Sequence, residues 1–271
     1  MKLICFWVIC LFPALCMGQC VKSYEQTKEG VSVTTTDGML GIYPIEDNAV
    51  RVKCFKGAEP VIPEMIFTGE FHQPEFMVAS IASKLVVKTN KITVTLDKQT
   101  GNITFSDNKG KVFLSEKAGS RKLTAGTVMG EPCYEVEQSF DSPAGEYIFG
   151  LGQFQDGNYD LRGVTRRLIQ VNSQIAIPFV YSSKGYGLLW HQYGLTDFNP
   201  ADNFIPLQRK EQQTGNEQVA EVTTTSGTQK VSQNQSLYLG KFNVPLDGEY
   251  SLFLDLGDMG NRHLIVIDGK P

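Results

Sequence analysis

The sequence predicts an all-β protein built from antiparallel sheets, and three observations predict it. Short runs of Val, Ile, Thr and Phe recur from residue 31 onward, turns rich in Gly, Asn and Asp separate them, and no segment beyond residue 18 has amphipathic helical periodicity. A doubly wound α/β fold or a complete (β/α)₈ barrel would need helices after its strands, and none is visible.

The first stretch stands outside this pattern. Lys2 brings positive charge, Leu3 to Leu15 is an apolar run holding Phe6, Trp7, Val8, Ile9, Leu11 and Phe12, and the small residue Gly18 precedes Gln19. That order reads as a secretory signal peptide over residues 1–18, cut near Gly18 and too short to stay as a spanning helix. The expected location is exported: periplasmic, cell-surface or extracellular. A lipid anchor on Cys16 or Cys20 is the minor alternative, because Leu15 and Gln19 stand where a small residue should precede a lipidated cysteine.

Of six cysteines, Cys20, Cys54 and Cys133 lie beyond the leader. They have no short metal-ligand spacing, so neither a zinc site nor any other cofactor is expected. Export permits a Cys54–Cys133 disulfide, which spacing alone does not establish. The 29 acidic and 25 basic residues leave a formal net charge of −4 without a long basic block, which argues against a nucleic-acid partner. No later apolar run is long enough for a transmembrane segment.

The strand signals follow in order. Val31, Val33 and Thr35 alternate with smaller residues before the turn Asp37-Gly38, and Ala49 to Lys56 alternates apolar with charged positions, as in a half-buried strand. Next come Leu85 to Thr89, Ile92 to Asp97, Ile103 to Ser106 and Lys111 to Leu114, joined by the turns Gln99-Thr100-Gly101-Asn102 and Asp107-Asn108-Lys109-Gly110. Such short β-branched strands with Gly and Asn turns predict a meander in an antiparallel sandwich. Residues 208–231 are polar, including Gln208 to Gln218 and Thr223 to Thr228, and read as a connector or exposed loop. Strand character resumes at Leu237 to Pro245, Gly248 to Asp255 and His263 to Gly269.

Residues 147–199 are the most informative. Tyr147-Ile148-Phe149-Gly150-Leu151-Gly152-Gln153 is followed by Leu161-Arg162-Gly163, Val171-Asn172, and the run Ile177-Pro178-Phe179 to Gly185-Tyr186-Gly187 and Trp190. Gly150 and Gly152 permit a bend or a close backbone approach, and Ser183 to Gly187 reads as a tight hairpin turn. In that order these segments resemble the N-terminal domain of family 31 glycoside hydrolases, over roughly residues 30–207. The resemblance implies a galactose-mutarotase-like antiparallel β-sandwich over residues 19–207. The segment 232–271, with Gly240-Lys241-Phe242, Val244-Pro245 and Ile265 to Lys270, resembles the start of a PA14 module and implies an incomplete second β-sandwich.

Glycoside hydrolysis commonly uses two carboxylates across the scissile bond. In the family resembled, both are aspartates of a downstream (β/α)₈ barrel that hydrolyses α-glucosides or α-xylosides with retention, so no catalytic residue is assigned here. Asp156, Asp160, Asp197 and Asp202 read as solvated turn residues. The resemblance also implies that a loop of this domain lines the sugar pocket at Asn172-Ser173-Gln174, where relatives often carry Asn-x-Asp. That makes Asn172 and Gln174 the candidate substrate-binding residues, since an amide both donates to and accepts from sugar hydroxyls. His191, after Trp190, offers an imidazole beside an aromatic ring, and a mutarotase-like epimerase would need such a histidine paired with an acid.

The expected partners are thus an α-linked oligosaccharide or polysaccharide, with xyloglucan among the candidates, and the catalytic barrel of the same polypeptide. The alternative is a free-standing secreted carbohydrate-binding module without catalysis, which would show exposed aromatic platforms.

Overall fold

The computed structural model describes residues 19–59, 61, 64–67, 69, 71–201, 205–210, 218–224, 227–233, 237–244, 247, 250, 252, 254 and 265–270. The expected leader and Asp202 lie outside the described residues, as do His263, Leu264 and most of Gly248 to Asp255. Among the described residues all extended secondary structure is strand.

The first antiparallel sheet runs β1 (Val21–Gln26), β2 (Val31–Thr35), β3 (Gly38–Glu46) and β4 (Ala49–Phe55), paired in that order. The second is the predicted meander with one more strand at its edge: β5 (Met77–Ile81), β6 (Lys84–Lys88), β7 (Ile92–Asp97), β8 (Ile103–Asp107) and β9 (Val112–Ser115). Alternation along each strand decides which side chains go inside. Val31, Val33, Leu40 and Ile42 from the first sheet pack with Leu85, Val87, Val94, Leu96 and Ile103 from the second, all essentially fully buried. Two sheets joined through one apolar layer make a β-sandwich.

The hairpin turns of the meander are held by their own aspartates. Asp97 Oδ1 accepts the N–H groups of Gln99 and Thr100 at 2.9 Å, and Asp107 Oδ1 accepts those of Lys109 and Lys111 at 2.9 and 2.8 Å. Gly101 and Gly110 close these turns with φ of 70° and 84°.

A projecting antiparallel pair follows, β10 (Lys122–Val128) with β11 (Glu131–Glu137). Cys54 on β4 and Cys133 on β11 are both free, so the disulfide that export would permit is not formed. Burial pushes the Cys54 thiol up from its ordinary pKa.

Beyond Glu146 come β12 (Ile148–Gln153), β13 (Arg166–Arg167), β14 (Ile175–Ser182), β15 (Gly187–Leu189) and β16 (Asp197–Phe198). They form a sheet in the order β12-β14-β15 and the separate pair β13-β16. The polar stretch 208–231 carries β17 (Gln208–Lys210), β18 (Gln218–Thr224) and β19 (Gly227–Gln233), and β20 (Leu237–Leu239) pairs with β17. It therefore differs from the loop its composition suggested. Ladder bonds use backbone groups, so a strand pair needs no apolar side chains to form.

The chain divides into two compact units. One comprises the chain up to Glu146 together with Ser182–Gly187, and the other comprises Tyr147–Tyr181 with everything from Leu188 onward.

Candidate functional site

The Gly150-Leu151-Gly152 motif is a backbone device. All three residues have positive φ, of 120°, 63° and 94°. A Cβ on Gly150 would lie 2.4 Å from the Phe179 carbonyl oxygen, and one on Gly152 would lie 2.2 Å from that of Ile175. Only glycine lets β12 approach β14 this closely. The bend between them sends the Leu151 side chain inward, where it packs with Ile148, Leu161 and Val180.

Two connections sit next to this contact: residues 154–165 after β12 and residues 168–174 before β14. In the second, Val171 and Gln174 exchange backbone hydrogen bonds, which puts Asn172 and Ser173 at the tip of a tight turn. Gln155 Nε2 donates to the Ser173 carbonyl at 3.2 Å and so ties the two connections together. Asn172 is exposed at this tip, whereas the half-buried Gln174 donates its Nε2 to the Ile169 carbonyl at 3.1 Å. Of the two candidate sugar ligands, one is presented to solvent and the other braces its own loop.

The aspartates near the motif are structural. Arg166, 5 % exposed, grips both carboxylate oxygens of Asp156 at 2.7 Å and lies over the Phe154 ring at 4.3 Å. Arg167 forms a two-point pair with Asp197 at 2.8 and 3.0 Å. Asp160 Oδ1 accepts the N–H groups of Ile148 and Arg162.

The electrostatics agree with this reading. Burial acts to raise the Asp156 carboxyl, but the Asn158 N–H and the Arg166 guanidinium outweigh it and hold it below its ordinary value. The Arg167 hydrogen bond does the same for Asp197. A general acid needs the opposite shift, so neither carboxyl is suited to protonate a glycosidic oxygen.

His191 Nε2 meets the Tyr193 hydroxyl at 3.1 Å, with the two rings edge to face. The epimerase reading would ask that imidazole to face an acid. Among the described residues no group of three or more His, Cys, Asp or Glu is arranged to hold a metal ion.

A polar cavity of about 240 Å³ lies among Gln19, Thr100, Asn102 and Arg121 in the first unit. The Arg121 guanidinium on its wall already bonds Glu116, Gln19, Gln138 and the Gly101 carbonyl, so it is not available to a ligand.

A family model, described as the glycosyl hydrolase 31 N-terminal galactose mutarotase-like domain, matches residues 39–199. The chain belongs to this family. The glycosyl hydrolase 31 N-terminal domain is all-β, as the motifs of residues 147–190 implied, and its match takes in β3 to β16.

An α-xylosidase of Saccharolobus solfataricus is 31% identical over 162 residues, 56% of this chain and 22% of the relative. An uncharacterized family 31 glucosidase of Pseudescherichia vulneris is 29% identical over 192 residues, 61% of this chain and 35% of the relative. The chain thus spans roughly a fifth to a third of the length of these curated relatives. Among solved structures, the α-xylosidase of Xanthomonas citri superposes with a TM-score of 0.54 at 23% identity, covering 77% of this chain and 20% of that one. A soil-metagenome α-xylosidase solved with xylose superposes at 0.57 and 23% identity, covering 65% and 29%. These two likenesses establish a shared fold.

Within the family domain, sequence patterns pointed to the Asn172 turn but passed over Gln155, Arg166 and Glu146. Gln155 stands three residues after Gly152, and that proximity to the motif is the one available signal for it. Arg166 and Glu146 belong to buried pairings that join residues ten and more positions apart.

Proposed function

We propose that this chain is the N-terminal, carbohydrate-facing part of an exported retaining glycosidase that acts on α-linked xylosides or glucosides. The observation that carries this reading is the Asn172 turn. Within a family 31 N-terminal domain, its exposed amide tip is held by Gln155 and braced by Gln174.

Bond cleavage falls to carboxylates of a (β/α)₈ barrel elsewhere in the same polypeptide, and the Asn172 amide bonds hydroxyls of the sugar held there. Asp156, Asp160 and Asp197 keep their structural bonds throughout. The α-xylosidase relatives support xylose as one accepted sugar, and xyloglucan-type chains would present it. Residues 1–18 direct export, and residues 232–271 open a PA14-like module next to the domain.

The test is hydrolysis of aryl α-xyloside and aryl α-glucoside. The 271-residue chain is expected to show no turnover, and a product extended by its downstream coding sequence is expected to show it. Robust turnover by the chain alone would overturn the division of labour, and none by the extended product would overturn the glycosidase reading.

A second reading, a free-standing carbohydrate-binding module, draws on one observation. Tyr147, Tyr159, Tyr181 and Tyr193 of the second unit are each 46–87 % exposed. An absence of any longer gene product in the source cells would favour it.

A further inference from the structure

Gln19 follows directly on the expected cut after Gly18, and small residues stand at the two positions that a signal peptidase reads, Cys16 and Gly18. A residue in that place is ordinarily a frayed, solvated chain end. Gln19 is instead 8 % exposed, on the wall of the polar cavity of the first unit. Its backbone lies against the turn between β7 and β8, where a Cβ on Gly101 would come within 2.3 Å of the Gln19 carbonyl oxygen. Just beyond it, the Cys20 carbonyl accepts the Thr36 N–H at 2.9 Å, and the Val21 N–H donates to the Lys98 carbonyl at 2.8 Å.

The Gln19 side chain is gripped at both ends of its amide. Arg121 donates to Oε1 at 2.7 Å, while Nε2 donates to the Asp37 carboxylate at 3.3 Å and to the Arg121 carbonyl at 3.4 Å. The Lys56 ammonium holds the other Asp37 oxygen at 2.9 Å, and the buried Arg121 also pairs with Glu116.

These bonds gain a chemical meaning once the cut leaves Gln19 with a free α-amine. An amino-terminal glutamine closes on itself when that amine attacks its own Cδ. The N–Cδ bond forms and negative charge gathers on Oε1. The Cδ–Nε2 bond then breaks, and Nε2 departs as ammonia with a proton taken from the amine. The product is the neutral lactam pyroglutamate, and no co-reactant is consumed. The Arg121 guanidinium stands where the charge gathers, and Asp37 stands beside the nitrogen that leaves. Burial and the neighbouring guanidinium both favour the amine in its neutral, nucleophilic form.

We propose that Gln19 is the amino terminus of the exported chain and a modification site, closing to pyroglutamate with Arg121 stabilising the charge on Oε1. This rests on the export reading of residues 1–18 and goes beyond it, by naming the bond that is cut and the group left at the end. Closure also removes a positive charge that would otherwise be buried beside the Arg121 guanidinium.

The experiment is secretion of the 271-residue chain from a bacterial host that lacks glutaminyl cyclase, followed by intact mass and amino-terminal sequencing. The chain is expected to begin at Gln19, to weigh one ammonia less than its sequence requires, and to resist sequencing until pyroglutamate aminopeptidase has acted on the denatured protein. Gln19→Ala is expected to be cut at the same bond and to be open to sequencing, which locates the cut. The part played by Arg121 is read from a rate, because a variant of this buried group would compromise folding. Freshly secreted chain, followed by mass over time, is expected to close faster than a synthetic peptide of residues 19–28 in the same buffer, by up to about a hundredfold.

A secreted chain that keeps a free glutamine at its end, or begins at any other residue, a lipidated Cys20 included, would overturn the proposal and leave export standing. Closure no faster than in the peptide would overturn the role of Arg121. A chain that retains residues 1–18 would overturn the export reading itself.

Discussion

Ser182 donates its hydroxyl to the carboxylate of Glu146, and the two lie 36 residues apart in the chain. Glu146 is 1 % exposed, and it also accepts the Tyr186 hydroxyl at 2.8 Å with the Lys184 ammonium at 3.7 Å. The hairpin turn Ser182–Gly187 is therefore built around a buried carboxylate. Burial, and then the bond to Glu146, push the Tyr186 phenol above its ordinary pKa, so it stays a donor at any physiological pH.

Removing that carboxylate strands two donors. Glu146→Ala should cost about 2–4 kcal/mol, because Ser182 and Tyr186 then lose their shared acceptor inside the protein. Tyr186→Phe, which removes one of the two bonds, should cost about 1 kcal/mol. Urea unfolding of both variants and of the double variant gives the coupling. Strictly additive losses would show that the cluster does not act as a unit.

The glycines of the motif should differ sharply from a glycine that only turns the chain. Gly152→Ala puts a methyl group 2.2 Å from the Ile175 carbonyl oxygen, so β12 and β14 must separate and the cost should exceed about 2 kcal/mol. At Gly185 φ is +86° but nothing lies within 4 Å of a new Cβ, and alanine there should cost about 1 kcal/mol. Thermal melts of the two variants compare the values directly, and equal losses would refute the close-approach role.

Acid should weaken the second unit through its aspartates. Asp156 and Asp197 both sit below their ordinary value of 3.8 in the folded chain. A depressed folded pKa adds stability that is complete above the unfolded value and is lost as pH falls through the folded one. Tm should therefore be insensitive to these groups from pH 7 to about 5 and should fall below about pH 4. Asp156→Asn should flatten part of that acid slope, and a melt series from neutral to acid pH reads it.

The sandwich core should respond as a packed interior. Leu96 is fully buried between the two sheets of the first unit, so Leu96→Ala should cost about 2–5 kcal/mol. Guanidinium unfolding measures it, and a loss under about 1 kcal/mol would mean that the layer collapses around the gap.

Much of the fold was legible because strands advertise themselves locally. The alternation of Val31, Val33 and Thr35 became the buried side of β2, and the turns at Asp97 and Asp107 closed the meander where those residues suggested. Residues 208–231 were not legible in the same way. Composition reports whether side chains can fill a core, and it is silent on backbone pairing such as that of β18 with β19.

The candidate site was half legible. Asn172 could be named from its motif, but not the choice of Gln174 to brace its own loop at the Ile169 carbonyl, nor that of Gln155 to reach the Ser173 carbonyl.

By itself the sequence determined the all-β class, the meander, the glycine motif and the hairpin turn at Gly185, since each depends on residues within a few positions of one another. Tertiary structure alone decided that Asp156 belongs to Arg166, that Asp197 belongs to Arg167, and that Glu146 belongs to Ser182 and Tyr186. Carboxylates near a motif look alike along a chain. What separates a brace from a reactive group is which cation or donor burial brings against it, and in a β protein that partner arrives from a distant strand.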